Sequence, residues 1–153
     1  MTNDHDQSDH DDDLLALESQ LCFALYATQL SMSKLYRRLL KRLDLTYPQY
    51  LVMLVLWEED HLTVSGIGER LSLDSATLTP LLKRLEGAEL VVRQRVREDE
   101  RQVEVSLTDK GRALRHRARD LPIEVERASG CSKTEMKALR DQLNVLKRQL
   151  NHL

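Results

Sequence analysis

The chain of 153 residues is poor in the residues that build turns and sheets: aromatics make up 4%, with five Gly and three Pro. That scarcity argues against sandwiches and barrels, which spend turn residues at every hairpin and aromatics on sheet faces. There are only two Cys, Cys22 and Cys131, too far apart for a CxxC pair. With no apolar leader at the N-terminus, a disulfide framework is not expected. No apolar run approaches the roughly 18 residues of a membrane helix, so the expectation is a cytoplasmic protein without membrane contact. Walker, GxSxG, HxE and metal-ligand spacings are missing, so neither enzyme nor cofactor is expected.

Charge is plentiful, at 31% of residues. Residues 1–13 hold six Asp and no Lys or Arg, and read as a disordered acidic tail. The remainder has 23 basic against 19 acidic residues, a mildly basic body that suits an anionic partner.

From Leu14 to Leu43 apolar residues recur at three- and four-residue steps (Leu17, Leu21, Leu25, Met32, Leu35, Leu39), which predicts one long helix. Such a stripe exceeds what a small core covers, so part of it is expected to pack on a second subunit. Thr46-Tyr47-Pro48-Gln49 reads as a capping box with Pro in the first turn. Thr63 caps a brief helix ending near Leu71. Asp74 or Ser75 opens another, in which Leu78, Leu81, Leu82 and Leu85 face inward, ending near Gly87. Alternation of Val103, Val105 and Leu107 with polar residues predicts a strand, paired across a Glu98-Asp99-Glu100 turn with one starting near Val91. Thr108 opens an Arg-rich helix towards Arg127, and Gly130 ends it. Ser132 and Glu135 form a second capping box. The last helix places Met136, Leu139, Leu143, Leu146 and Leu150 at a/d spacing.

The expected fold is therefore mainly α with a small β-hairpin wing: a winged helix-turn-helix over 45–108, with helical dimerisation regions at 14–43 and 109–153. On the helix after Asp74, the face opposite the leucines carries Ala76, Thr79, Pro80 and Lys83, flanked by Thr77 and Arg84, and Ser75 joins them at the helix start as a candidate DNA contact. Small, hydroxyl and basic side chains suit a major groove, and the helix start offers amides to a phosphate. Pro80 interrupts this helix, so the helix either starts later or bends there. The wing brings arginines, with Asp99 placed to orient the Arg101 guanidinium towards a minor groove. The expected partner is double-stranded, pseudo-palindromic operator DNA, read by a homodimer.

LSLDSATLTPLLKRLE, the wing VVRQRVREDERQVEVSLT and the trailing DKG resemble the MarR family of winged-helix regulators, over nearly the whole chain. LDSATLTPLLKRLE, an early Cys and two tyrosines resemble its organic hydroperoxide regulator subfamily (OhrR). On local grounds Cys22 is a packing residue, about nine residues inside a helix and too deep for the terminal amides to act on its thiol. The resemblance implies instead that Cys22 reacts with organic hydroperoxides, helped by hydroxyls of Tyr36 and Tyr47 and, less directly, Tyr26. Tyr36 lies 14 residues from Cys22, about 21 Å along a straight helix, so contact would come from the partner chain. Cys131 precedes the Ser132 cap and reads as a hydrophobic staple. The resemblance to two-Cys members implies that it resolves oxidised Cys22. The alternative is a MarR-like repressor released by a phenolic ligand, with both Cys structural.

Overall fold

The computed structural model describes residues 13–153, so the acidic tail, apart from Asp13, lies outside the described residues. The first element is not the expected helix from Leu14. A 3-10 turn at Leu17–Ser19 is followed by Gln20 in extended geometry, and α1 runs Leu21–Leu40. The Gln20 amide donates back to the carbonyls of Leu14 at 2.6 Å and Ala16 at 3.0 Å. Those bonds hold the preceding turn apart from the helix. A 3-10 turn at Lys41–Leu43 and Asp44, left-handed at φ 54°, end the α1 segment.

The next three helices start where the caps predict. In α2 (Tyr47–Glu58) the capping box is closed: Gln49 N–H donates to Thr46 Oγ1, and Gln49 Oε1 accepts Thr46 N–H at 3.0 Å. Thr63 Oγ1 caps α3 (Val64–Leu71) by accepting Gly66 N–H at 3.1 Å. Asp74 caps α4 (Ser75–Gly87). The turn between α3 and α4 is so close that a Cβ on Gly68 would lie 2.6 Å from the Leu73 carbonyl oxygen.

Besides the hairpin, the sheet has a third strand too short to read from sequence: β1 (Leu62–Thr63) pairs antiparallel with β3 (Asp99–Leu107), and β3 with β2 (Val91–Val96), in the order β1-β3-β2. The wing turn falls on Arg97–Glu98, one residue earlier than expected, because an irregularity between Arg95 and Val96 lets Asp99 join β3.

The expected single helix from Thr108 to Arg127 is two helices, α5 (Asp109–Ala118) and α6 (Leu121–Ser129). Pro122, in the first turn of α6, has no N–H for the Ala118 carbonyl, so the ladder breaks and restarts. Gly130, left-handed at φ 69°, ends α6, and the Ser132–Glu135 capping box opens α7 (Lys133–Leu150).

The core is built by α2, α3, α4, the sheet, α5 and α6. Met53, Leu56, Ile67, Leu78, Leu82, Leu85, Val105 and Leu121 are almost fully buried. The terminal helices contribute little: α1 buries only Leu40 and α7 buries nothing. Leu21 (60%), Leu30, Leu139 (55%) and Leu150 stay exposed. Among the described residues, no helix is long and apolar enough to cross a membrane.

Candidate nucleic-acid interface and thiol site

The outer face of α4 presents Ser75, Ala76, Thr77, Pro80, Lys83 and Arg84 to solvent, with Thr79 half-buried. The helix begins at Ser75, not later, and stays helical through Pro80. The Thr79 hydroxyl donates to the Ser75 carbonyl at 2.7 Å, which leaves it only an acceptor for a base or phosphate. The expected phosphate amides are partly taken. Thr77 N–H donates to Asp74 Oδ1 at 2.7 Å, and the Thr77 hydroxyl and amide together hold the Asp74 carboxyl below the usual carboxylate range. The start of α4 thus carries its own anion, which disfavours a phosphate there.

In the wing, Arg97 and Arg101 are exposed. Asp99 does not hold the Arg101 guanidinium: its Oδ1 accepts the Arg101 backbone N–H at 3.0 Å, and among the described residues no ion pair joins the two. Asp99 shapes the strand after the turn and orients Arg101 through the backbone. Arg93 is turned inward and bonded to Glu86 at the end of α4.

Cys22 is the second residue of α1 and is exposed. This corrects the expectation of a thiol deep within a helix, because the break at Gln20 moves the helix start to its neighbour. Gln20 offers no side-chain cap, so the first amides of α1 remain available to a negative charge beside them. Tyr26 is one turn away and exposed. Tyr36 lies at the far end of α1, packed on Tyr47 with ring centroids 4.7 Å apart. One protomer therefore does not bring Cys22 together with Tyr36 and Tyr47.

Tyr50 and Trp57 extend this cluster along α2, with Tyr47–Tyr50 and Tyr50–Trp57 centroids both 6.4 Å apart. Neither was singled out in the sequence, although Tyr47, Tyr50 and Trp57 lie within one face of a helix. Burial pushes the Tyr36 phenol up to about 12, with Tyr47 and Tyr50 adding to the shift, and raises Tyr47 and Tyr50 as well. All three are protonated donors at neutral pH. The Trp57 indole N–H donates to the Gly111 carbonyl at 2.9 Å. Cys131 is half-buried just before the α7 cap, its thiol donating to the Ser129 carbonyl at 3.6 Å.

A three-helix unit with an exposed hydroxyl-rich and basic α4, followed by an Arg-bearing hairpin, is the architecture of a winged-helix DNA-binding protein. The model of the SarA/Rot transcriptional regulators matches residues 34–117, and the chain belongs to this MarR-type family of winged-helix regulators. It is 53% identical to the HTH-type transcriptional regulator TtmR of Methylorubrum extorquens over 92% of this chain and 72% of the relative. It is 48% identical to the organic hydroperoxide resistance transcriptional regulator of Bacillus subtilis over 88% of this chain and 91% of the relative. Among solved structures, reduced AbfR bound to DNA matches with a TM-score of 0.72 and 38% identity, covering 89% of this chain and 93% of that one. AbfR of Staphylococcus epidermidis has also been solved in a disulfide form, which matches with a TM-score of 0.62. The chain is a DNA-binding transcriptional regulator, not an enzyme.

Proposed function

We propose that this protein is a cytoplasmic, homodimeric repressor that leaves a pseudo-palindromic operator when an organic hydroperoxide oxidises Cys22. The observation that carries the reading is the separation within one protomer of an exposed thiol at the start of α1 from a half-buried tyrosine pair, Tyr36 at its far end and Tyr47 at the start of α2. Exposed apolar residues along α1 and α7 require a partner. An antiparallel partner α1 would set its Tyr36 and Tyr47 beside Cys22. The 48% identity to the Bacillus regulator supports the same effector class.

The chemistry needs no cofactor. The Cys22 thiolate attacks one peroxide oxygen; an S–O bond forms as the O–O bond breaks, and the leaving alkoxide takes a proton to become the alcohol. The tyrosine hydroxyls donate hydrogen bonds to the thiolate. The Cys131 thiol of the partner subunit then attacks the Cys22 sulfenic sulfur; the S–S bond forms and water leaves. The half-buried Cys131 and its Gly130 link would have to move to close a disulfide, displacing α7 and re-spacing the two α4 helices. Ser75, Ala76, Thr77, Thr79, Lys83 and Arg84 read the major groove in this proposal, and Arg101, shaped by Asp99, the minor groove.

The test is operator binding with and without one equivalent of cumene hydroperoxide. Wild type should release DNA and run as a covalent dimer on a non-reducing gel, reversed by dithiothreitol. Cys22→Ser should keep DNA throughout, and Cys131→Ser should lose the crosslink. Release by Cys22→Ser under peroxide would refute the reading. A second reading, release by a phenolic acid, has one observation in its favour: an open groove of ≈ 640 Å³ beside Tyr47, lined also by Arg37 and Lys41. It requires release by the ligand in Cys22→Ser protein.

A further inference from the structure

Glu86 is an acidic residue near the end of α4, on the element that faces DNA, where a carboxylate repels phosphate. Its surroundings explain its presence. One carboxylate oxygen accepts the backbone N–H of Arg93 at 3.0 Å, and the other accepts the Arg93 guanidinium at 3.1 Å. These two hydrogen bonds hold the Glu86 carboxyl below the usual carboxylate range. Glu86 is therefore bound twice to one residue of β2, once through backbone and once through side chain.

Arg93 is an unusual residue for its place. It pairs with Val105, a fully buried residue of β3, so it lies on the inward face of the sheet. Its Nε is buried with no hydrogen-bond partner, a cost that a shorter or apolar side chain would avoid. The hairpin leaves the core at this point: Val91, on the same face, is buried, and Arg95 and the turn beyond it are exposed. Arg93 and Glu86 thus tie the recognition helix to the wing close to where the hairpin runs into solvent. From Arg93 to Arg97 is four residues, about 13 Å of strand. A swing of about 10° at this tie would move the turn by roughly 2 Å over that lever, enough to lose a hydrogen bond to a groove edge.

We propose that Glu86 is a positioning residue for DNA recognition: by clamping Arg93 it fixes the angle between α4 and the wing, so that major-groove and minor-groove contacts are made in one register. The inference rests on the reading of α4 and Arg101 as DNA contacts. It also removes Arg93 from the set of arginines that touch phosphate, since its guanidinium is held by Glu86.

The experiment is a double-mutant cycle between Glu86 and Arg101, using a duplex selected by the wild-type protein from random-sequence DNA, with binding read by fluorescence anisotropy. Arg101→Ala should weaken wild type by about tenfold. Glu86→Ala should weaken it by a similar factor, because the wing is no longer held in place. In the Glu86→Ala background, Arg101→Ala should then cost less than about twofold, since the contact it removes is already lost. Glu86→Gln keeps an acceptor for the Arg93 amide and should restore part of both the affinity and the Arg101 dependence. A purely structural role would lower the melting temperature and leave the Arg101 cost unchanged. An Arg101 cost that is equal in the wild-type, Gln and Ala backgrounds overturns the proposal for Glu86 alone. No cost of Arg101→Ala in wild type overturns the wing reading, and the Glu86 proposal with it.

Discussion

Gly111 gives a sharp quantitative test of how the wing is seated. It lies in the first turn of α5, where a Cβ would come 2.1 Å from the Leu90 carbonyl oxygen and 3.3 Å from a Leu107 methyl. The obstruction is backbone, so no side-chain rotation relieves it. In Gly111→Ala the start of α5 must move from Leu90 by roughly 1 Å, at an overpacking cost of about 1–3 kcal/mol. The same shift strains two bonds: Thr108 N–H to Leu90 O at 3.1 Å, and the Trp57 indole to Gly111 O at 2.9 Å. Each contributes about 0.5–1.5 kcal/mol, against roughly 1 kcal/mol returned by the better helix propensity of Ala. The net loss is about 1–5 kcal/mol, or roughly 2–20 °C in Tm for a chain of this size. Differential scanning calorimetry measures it, and the single Trp reports the local change by fluorescence. Gly87→Ala is the control: a Cβ there meets nothing within 4 Å, so it should be neutral or stabilise by up to about 1 kcal/mol. Equal melting temperatures for Gly111→Ala and wild type would refute the packing argument.

Other outcomes follow from the same geometry. Leu139 and Leu143 are exposed on α7, which buries no residue in the protomer; Leu139→Asp with Leu143→Asp should give a monomer by sedimentation, with native circular dichroism and at least about a hundredfold weaker operator binding. Tyr36→Phe and Tyr47→Phe should slow oxidation of Cys22 by organic hydroperoxide, followed by stopped-flow, while the reduced protein binds DNA as before; unaltered peroxide kinetics in the double mutant would make both tyrosines packing residues. Burial raises the Tyr36 phenol from 10.0 to about 12, so the unfolded chain ionises first. The Tyr36 contribution to stability should be complete below pH 10 and fall away as the pH rises towards 12, a slope that Tyr36→Phe removes from alkaline melting curves.

The parts of this fold that the sequence makes legible are those with local chemical punctuation. Thr46, Thr63, Asp74, Thr108 and Ser132 each carry an oxygen that accepts an amide of the first turn and stand just before a helix start, with Ser75 left as an alternative to Asp74 by the sequence. The failures have equally local causes. Gln20 breaks α1 with a side-chain amide bonded backward to two carbonyls, a role that Gln has no propensity to announce, and the apolar stripe runs on across the break. Reading one helix there hid the feature that matters most for Cys22, its place in an uncapped first turn. Pro122 did announce the break between α5 and α6, and the amphipathic pattern around it concealed the signal. For β1, the two residues Leu62 and Thr63 are too few to show a period; the strand exists because β3 offers it an edge. The outward face of α4 was legible because burial of Leu78, Leu82 and Leu85 fixes which side of the helix turns to solvent. The Glu86–Arg93 clamp was not, for the opposite reason. Among four wing arginines of the same charge, Arg93 is set apart by its pairing with the fully buried Val105 at the base of the hairpin, and that register is set by the whole hairpin. The wing thus divides its arginines by distance from the core: Arg93 holds the hairpin at its base against Glu86, and the turn and the strand beyond it carry Arg97 and Arg101 into solvent.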